Sequence, residues 1–415
     1  MLRLATGAAA ILLLAFAALV LWLRYDALPH ADRYRDTIVS SIEHASGMAV
    51  KARALHGGWD GLRPSLTLEG FELADHRGHP VFALDRAEVT LSWWALFRLR
   101  VRVHDVEFFR PNLELRRGKD GLIYLADKPL NRPGGDDDGA FTQWLLAQPR
   151  LAIHDATLVW RDEMTGAPEV RLTQVEIAMR KHLGHHHAAF SALPPPSLAG
   201  RIDVRADMTV ARTDGRWYAV GELFAEGLDT DLAGLRVHLP VPESLKSGVG
   251  SLRVWATFAD DGVREVIADV NMRDAKAQLA DDAPPLALAS LSGRATYRVR
   301  PDGFTFATSG LRFRLPGGEE AHPGNFSIER TAAASAPPRV EVRADGIDLR
   351  IATTLIDYFP VPHDIKGQIS RYAPREASFS VPPAWVPSNV PERPVTPGNA
   401  STGFTARSSK RPFTA

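Results

Sequence analysis

From Val50 onward, apolar and polar residues alternate with a period of two in segment after segment. Residues 201–210 show this clearly, since every second position is apolar, from Ile202 to Val210. Successive side chains of a β-strand point to opposite faces, so the period predicts strands with one dry face and one wet face. The pattern recurs at residues 81–93, 97–104, 170–179, 252–258, 291–299, 311–315 and 340–344. The chain is therefore predicted to be mainly β.

Short turn motifs separate many of these segments. The pairs are Asp120-Gly121, Thr165-Gly166, Asp214-Gly215 and Asp261-Gly262, together with Pro301-Asp302-Gly303. Such motifs favour tight turns between neighbouring antiparallel strands. We therefore expect a long antiparallel sheet, built as a meander. After the N-terminal run, helices are predicted in only two places. One is an amphipathic helix between Pro29 and Gly47, and the other is a short helix at residues 140–148.

The N-terminal run, residues 4–23, contains no charged residue. At about 1.5 Å per residue, a helix of this length spans roughly 30 Å, the thickness of the hydrocarbon core of a bilayer. The rival interpretation is a cleaved signal peptide, but the small-x-small site at Ala15 and Ala17 is followed by further apolar residues. We therefore favour an uncleaved anchor. Its membrane-contacting residues are predicted to include Leu4, Ile11, Leu14, Phe16, Leu21, Trp22 and Leu23.

Composition excludes several classes of partner. The chain has 49 basic and 49 acidic residues, so no net charge attracts it to nucleic acid. It has no cysteine, which excludes disulfides and thiolate metal sites. Arg3 precedes the apolar run. By the positive-inside rule, this residue weakly favours a cytoplasmic N-terminus, with the remainder of the chain exported.

No catalytic motif is recognised, and we expect no enzymatic activity, no cofactor and no metal site. The histidines at 182 and 185–187 resemble a metal cluster, but adjacent residues of a strand point to opposite faces. The triplet at residues 136–138 lacks the ligand spacing of a calcium loop. Both groups are interpreted as solvated loop or hairpin residues.

A sheet with one apolar face must bury that face against something. A second sheet would give a β-sandwich, and the same sheet curling on itself would leave a continuous apolar groove that an acyl chain or similar ligand could fill. Composition does not choose between these coverings.

Several motifs, in order along the chain, resemble the AsmA-like envelope proteins, most closely the YhdP branch. These motifs come after the N-terminal apolar helix and the next helix. With the two helices, the resemblance covers roughly residues 1–372. The matching segments are residues 57–68 (GGWDGLRPSLTL), 82–89 (FALDRAEV), 144–148 (WLLAQ), 156–162 (ATLVWRD) and 248–255 (GVGSLRVW).

The resemblance implies a bridge-like lipid transfer protein, anchored in the bacterial inner membrane by a single pass, with its bulk in the periplasm. Phospholipids moving between the inner and outer membranes would lie in a hydrophobic groove of a long curled sheet. The expected partners are membrane lipids, the inner membrane and other envelope proteins. The alternative is a structural or assembly factor for the outer membrane, with closed β-sandwich domains that dock envelope proteins.

Groove-lining residues are predicted from the dry faces of the strands. They are Leu66, Leu68, Val89, Leu91, Leu99, Val101, Val103, Ile202, Val204, Val254 and Phe258.

The predicted organisation has six parts. They are an anchor at 1–25, an amphipathic helix at 26–47, a first β region at 48–130, a linker with a short helix at 131–149, a continued β region at 150–373, and a disordered or out-of-frame tail at 374–415. The tail is Pro-rich and lacks the strand period, so we expect the chain to be an N-terminal portion of a longer protein.

Overall fold

A computed structural model of the chain describes residues 2–46, 49–74, 80–93, 103–125, 128–129, 148–213, 216–238, 241, 244–259, 262–278, 283–320, 324–332, 339–345, 358 and 376–381. The predicted short helix at residues 140–148 lies almost wholly outside these ranges, as does most of the predicted tail.

The chain begins with a long apolar helix, α1 (Leu2–Trp22), which continues into a π-helical turn (Leu23–Ala27). Residues Ala10–Ala27 are long and apolar enough to cross a membrane, and only 6% of this stretch is buried within the protein. Ile11 and Leu14 are about 70% exposed, so their side chains face away from the sheet. The predicted anchor residues all lie in α1, except Leu23, which begins the π-helical turn.

The predicted amphipathic helix is confirmed as a 3-10 turn (Ala31–Tyr34) followed by α2 (Arg35–Ser46). The structure ties this helical segment to the first strands through two acidic side chains. Glu43 accepts a hydrogen bond from the backbone N–H of Val50, and Asp32 accepts one from that of Leu55. These contacts lay the helical segment across the beginning of the sheet.

Among the described residues, twenty strands form one sheet. The strands are β1 (Ala49–Lys51), β2 (Ala54–Asp60), β3 (Arg63–Ala74), β4 (Pro80–Leu91), β5 (Val103–Phe109), β6 (Asn112–Arg117), β7 (Ile123–Leu125), β8 (Lys128–Pro129), β9 (Arg150–Asp162), β10 (Ala167–His182), β11 (His185–Leu193), β12 (Ile202–Thr213), β13 (Arg216–Asp231), β14 (Leu245–Ala259), β15 (Gly262–Ala277), β16 (Leu286–Arg300), β17 (Gly303–Arg314), β18 (Gly324–Thr331), β19 (Arg339–Asp345) and β20 (Glu376–Val381). One short helix, α3 (Leu232–Leu235), lies between β13 and β14. The predicted mainly-β class is confirmed.

From β9 to β20, each strand pairs antiparallel with the next strand along the chain. The first part of the sheet departs from the predicted meander, because both β5 and β6 pair parallel with β9. A period of two reports which face a residue occupies, but not the direction of its neighbouring strand.

Strand β20 begins just after the predicted boundary at residue 374. Glu376–Val381 pairs with β19, so the segment predicted as a tail begins with a strand of the sheet. Its sequence alternates Ala377, Phe379 and Val381 with polar residues, which suits an added strand.

Left-handed residues interrupt several strands where the register shifts. Gln174, Asp229 and Gly310 have φ values of 49°, 45° and 61° and lie within shifts in the pairing of β10, β13 and β17. Such β-bulges bend a strand and increase its local twist. Glycine adopts this conformation without a steric cost, and Asp is enriched there among other residues.

Asp162 joins the parallel and antiparallel parts of the sheet. Its carboxylate, almost fully buried, accepts hydrogen bonds from Arg117 at the end of β6 and from the backbone N–H groups of Met164 and Thr165 in the β9–β10 turn. The hydrogen bond from Arg117, then those from Thr165 and Met164, hold the pKa of Asp162 well below its ordinary value, although burial acts in the opposite direction. The charged form is thus favoured by folding.

We expect Asp162→Asn to lower the midpoint of thermal unfolding, because the substitution removes the charge from a buried, charge-assisted set of hydrogen bonds. Since folding lowers the pKa of Asp162, its contribution is complete above about pH 4, near the pKa of the unfolded chain, and is lost as the pH falls further. Thermal unfolding between pH 7 and strongly acidic conditions measures both effects.

Glu169→Gln is the matched control. Glu169 pairs with Arg161 on the neighbouring strand, and both side chains are more than a third exposed. Loss of such a pair changes the free energy of unfolding by less than about 1 kcal/mol. Equal unfolding midpoints for the two variants would contradict the role given to Asp162.

Candidate functional site

One row of side chains crosses the sheet from β2 to β18. Each member is paired in register with the next, so all lie on the same face, which we call the apolar face. This first row consists of Leu55, Leu68, Ala87, Phe108, Ile153, Ile177, Phe190, Val204, Ala225, Val254, Ala268, Ala295, Thr308 and Phe326. Thr308 is its polar member, and its hydroxyl accepts a hydrogen bond from the backbone N–H of Phe326. All the other members of the row are apolar.

A second row runs beside the first, two residues further along each strand. Its members are Gly57, Leu66, Val89, Val106, Leu151, Met179, Ala188, Ala206, Leu223, Ala256, Val266, Tyr297, Phe306 and Ile328. Two residues of a strand span about 6.8 Å, so the two rows together form a broad apolar band.

The two rows are covered at their beginning. Val39 of α2 packs against a buried cluster that includes Ala87 of the first row, and Leu68 and Phe108 pack against the same cluster. Gly57 lies directly under Leu28, because a Cβ atom at Gly57 would stand 2.3 Å from the Leu28 carbonyl oxygen. The absence of a side chain at Gly57 therefore allows the segment after α1 to close this end of the apolar face.

In the middle of the sheet the two rows remain partly exposed. From Ile177 and Met179 in β10 to Phe326 and Ile328 in β18, each member retains intermediate exposure and none is fully buried. By contrast, Val106 and Leu151 in the first part of the sheet are only 3% and 5% exposed. The core of a packed sandwich would bury the central residues to a similar degree. Among the described residues, the buried members of the two rows thus all lie in the first part of the sheet, where Leu66, Leu68 and Ile153 still keep intermediate exposure.

The edge of the sheet that carries the longer connections is closed by an apolar cluster. Leu232 of α3 packs there with Met272, Leu288 and other buried residues, and Leu252 and Val270 of the apolar face pack against them. Asp231 caps α3, since its carboxylate accepts hydrogen bonds from the N–H groups of the next turn. The cap holds Leu232 over this edge.

The opposite edge, which we call the hairpin edge, carries two-residue turns. His182 pairs with His185, and Arg300 pairs with Gly303, so each hairpin turns over two residues. Val263 and Val299 near these turns are 48% and 38% exposed. The apolar face is therefore open to solvent towards this edge.

Basic residues join the apolar face beside the hairpin edge. A third row lies two residues along each strand from the second row, on the side of the hairpin edge. Its members are Lys181, His186, Met208, Gly221 and Phe258 in β10 to β14, and Val299, Phe304, Arg330 and Val340 in β16 to β19. Lys181 is exposed, whereas His186 is 2% exposed.

The opposite face of the sheet is polar and carries cross-strand ion pairs. Arg253 binds Glu226, Arg294 binds Asp269, and the shortest nitrogen–oxygen distance is 2.6 Å in each pair. The hydrogen bond from Arg294 lowers the pKa of Asp269, again against the effect of burial. This face therefore gives the sheet a charged side that water can hydrate.

The structure places most of the predicted lining residues on the apolar face. Leu68, Val204 and Val254 lie in the first row, Leu66 and Val89 in the second, and Phe258 in the third. Ile202 is two residues from Val204 and pairs with Ala192 and Gly227. Leu91 pairs with Val103 beyond a β-bulge. Leu99 and Val101 lie outside the described residues.

Sequence reasoning missed several residues of the same rows. Leu223 and Ala225 went unrecognised because their strand, β13, also carries Phe224 and Val220 on the polar face and Gly221 and Gly227 on the apolar face. Arg330 follows Phe326 and Ile328 at intervals of two residues. This spacing in the sequence predicts that Arg330 lies on the same face of the strand as these two apolar residues.

The histidines of the β10–β11 hairpin divide between the two faces. His186 lies on the apolar face, while His187 lies near Asp207 on the polar face, with 3.4 Å between nitrogen and oxygen. Within the described ranges, no three His, Asp or Glu side chains are grouped as a metal site. Residues 136–138 lie outside those ranges.

The family model described as "YhdP protein" matches residues 1–379, from α1 into β20. The chain belongs to the YhdP family. A relative from Escherichia coli (strain K12), named "Intermembrane phospholipid transporter YhdP", is 32% identical over 134 residues. That similarity covers 32% of this chain and 9% of the relative, so the chain spans a small part of the length of that YhdP protein. No solved structure matches the chain.

We expect Gly57→Ala to destabilise the contact between the sheet and the segment that follows α1. The added methyl would overlap the Leu28 backbone, and overpacking of this kind costs about 1–3 kcal/mol of the free energy of unfolding. Thermal unfolding of the detergent-solubilised chain measures it. Gly317→Ala is the control, because no atom lies within 4 Å of a Cβ at Gly317. An unfolding midpoint for Gly57→Ala equal to that of the control would contradict the close packing.

Proposed function

We propose that the chain carries phospholipids along its apolar face as the membrane-anchored part of a transport route between the inner and outer membranes. The observation that supports this most directly is the pair of apolar rows that continue from strand to strand and stay partly exposed between β10 and β18. Soluble proteins rarely leave so long an apolar surface exposed unless something binds it. The name of the relative supplies the lipid class: "Intermembrane phospholipid transporter YhdP".

The proposed mechanism is physical and includes no catalytic step. Acyl chains lie against the first and second rows, where each CH₂ group removed from water contributes about 0.8 kcal/mol. Because neighbouring positions of a row are similarly apolar, a lipid that moves from one strand to the next exchanges one set of contacts for an equivalent set. Side chains therefore act by size and polarity.

The N-terminal helix would fix one end of this path. In the proposed topology, α1 crosses the inner membrane once, its N-terminus is cytoplasmic, and the sheet lies in the periplasm. Phe16 of α1 contacts Trp93 with 5.2 Å between ring centroids, and Trp93 in turn donates a hydrogen bond to the Leu62 carbonyl oxygen. These contacts place the helix beside the first hairpin, where lipid would enter the apolar face.

A photo-crosslinking amino acid at Val254 tests the position of the lipid. Val254 lies in the first row, so the probe is expected to form an adduct with phospholipid in intact bacteria, detected by mass spectrometry of the purified chain. The matched position is Thr257, which lies three residues away in β14 on the polar face and is exposed. Equal lipid adducts at both positions would contradict a lipid path on the apolar face.

The same experiment distinguishes the alternative role in envelope assembly. If the chain acts by docking other envelope proteins, a probe at Val254 would form protein adducts or none, and lipid adducts would be missing. That result would reject lipid carriage in favour of a structural function.

A charged substitution tests whether the apolar band must be uninterrupted. We expect Val254→Asp to reduce the phospholipid that co-purifies with the chain by about tenfold or more, because a carboxylate cannot be left unpaired against acyl chains. Thr257→Asp adds the same charge to the polar face and should leave the lipid content unchanged. Circular dichroism checks that both variants fold, and an unchanged lipid content in folded Val254→Asp would count against the proposal.

A further inference from the structure

Arg330 is a cation within the apolar face. It pairs with Phe304 on one side and Val340 on the other, and it follows Phe326 and Ile328 at intervals of two residues. These registers place Arg330 in the third row, one pair of residues from the hairpin edge, where Gly303 pairs with Thr331. A guanidinium on this face loses part of its hydration.

The surroundings of Arg330 differ from those of the arginines on the polar face. Arg298 and Arg300, on the neighbouring hairpin, bind Glu265 and Glu329. Among the residues that the structure describes, no carboxylate pairs with Arg330, and its buried Nε atom has no protein acceptor. Residues 333–338, between β18 and β19, contain no Asp or Glu.

Tyr297 completes the local arrangement. Tyr297 lies in the second row, and its ring centroid is 5.5 Å from that of Phe304. Burial raises the pKa of the Tyr297 phenol, and the charge of Arg330 acts in the opposite direction, as expected of two groups that lie close together. A phenol and a guanidinium thus lie on the same face, on the two strands that flank β17, with Phe304 in contact with the Tyr297 ring and paired in register with Arg330.

We propose that Arg330, assisted by the hydroxyl of Tyr297, binds the phosphate of a phospholipid whose acyl chains lie on the first and second rows. This inference rests on the proposed function and adds the binding site for the headgroup. The planar guanidinium donates paired hydrogen bonds that match a phosphate, and such bonds are strong where water is partly excluded. Charge complementarity and the adjoining apolar rows select an acylated anion.

The site would orient the lipid on the sheet. The third row is about 6.8 Å from the second row along the strands, so a phosphate at Arg330 lies towards the hairpin edge while the acyl chains extend across the two apolar rows. The opposite edge is closed by the cluster around Leu232, which leaves the hairpin edge as the side on which a headgroup meets water.

Binding of two short-chain lipids to the 415-residue chain in a neutral detergent tests the proposal. The probes are phosphatidylglycerol and diacylglycerol of the same acyl length, which differ by the phosphate headgroup. Arg330→Gln is expected to weaken the binding of phosphatidylglycerol by about tenfold, because hydrogen bonds to a charged group are lost, and to leave diacylglycerol binding unchanged. Tyr297→Phe should give a smaller loss for phosphatidylglycerol alone.

Arg298→Gln is the matched control, since Arg298 lies on the polar face next to Tyr297 and binds Glu265. It should change neither affinity. If Arg330→Gln weakened both lipids equally, or neither, the phosphate site would be overturned while lipid binding by the apolar face still stood. If the wild-type chain bound neither lipid, the proposed function itself would fail.

Two further measurements test free phosphate as the ligand and provide a second variant of Arg330. Inorganic phosphate alone should not bind at millimolar concentration, and Arg330-dependent binding of free phosphate would reject a lipid as the ligand. If Arg330→Gln does not fold, Arg330→Lys replaces it, because lysine keeps the charge but lacks the bidentate fork. The lysine variant should bind phosphatidylglycerol more weakly than wild type, and an undiminished affinity would overturn the site.

Discussion

The cross-strand register is the constraint on which the rest of this structure depends. In a sheet, paired residues share a face, and a slip of one residue would move the whole set of side chains to the other face. The pairings from β2 to β18 keep the first and second rows in phase despite several bulges and a change from parallel to antiparallel neighbours. The backbone hydrogen bonds thereby turn many short alternating segments into one continuous apolar band.

The ends and edges of the sheet decide where this band is covered. Near the N-terminus, α2 and the segment at Leu28 cover it, and along one edge the cluster around Leu232 closes it. Between β10 and β18 the band stays partly exposed and is open towards the hairpin edge. Covering this exposed apolar surface with an apolar ligand lowers the free energy of the system. The proposed lipid path follows from the difference between the covered and the exposed parts of the band.

The polar face contributes solubility and alignment more than stability. In the pairs Arg253–Glu226 and Arg300–Glu329 the carboxylates are 25% and 32% exposed and the arginines 56% and 44%, so each pair adds little free energy. The same strands place Phe224 beside Trp255 on this face, with 5.3 Å between ring centroids and the guanidinium of Arg294 above Trp255. The polar face therefore tolerates an aromatic pair among its charges.

The amino-acid sequence by itself determined the strand period, the turns, the N-terminal apolar helix and the family resemblance, because all of these are encoded within short segments. It also placed Val204 and Val254 on a dry face, since alternation along one strand is enough for that. The tertiary structure alone decided that β5 and β6 pair parallel with β9, that Gly57 lies under Leu28, and that Tyr297, Phe304 and Arg330 meet near one edge. These arrangements depend on which strand pairs with which and in what register, and residues distant in sequence come together only when those hydrogen bonds form.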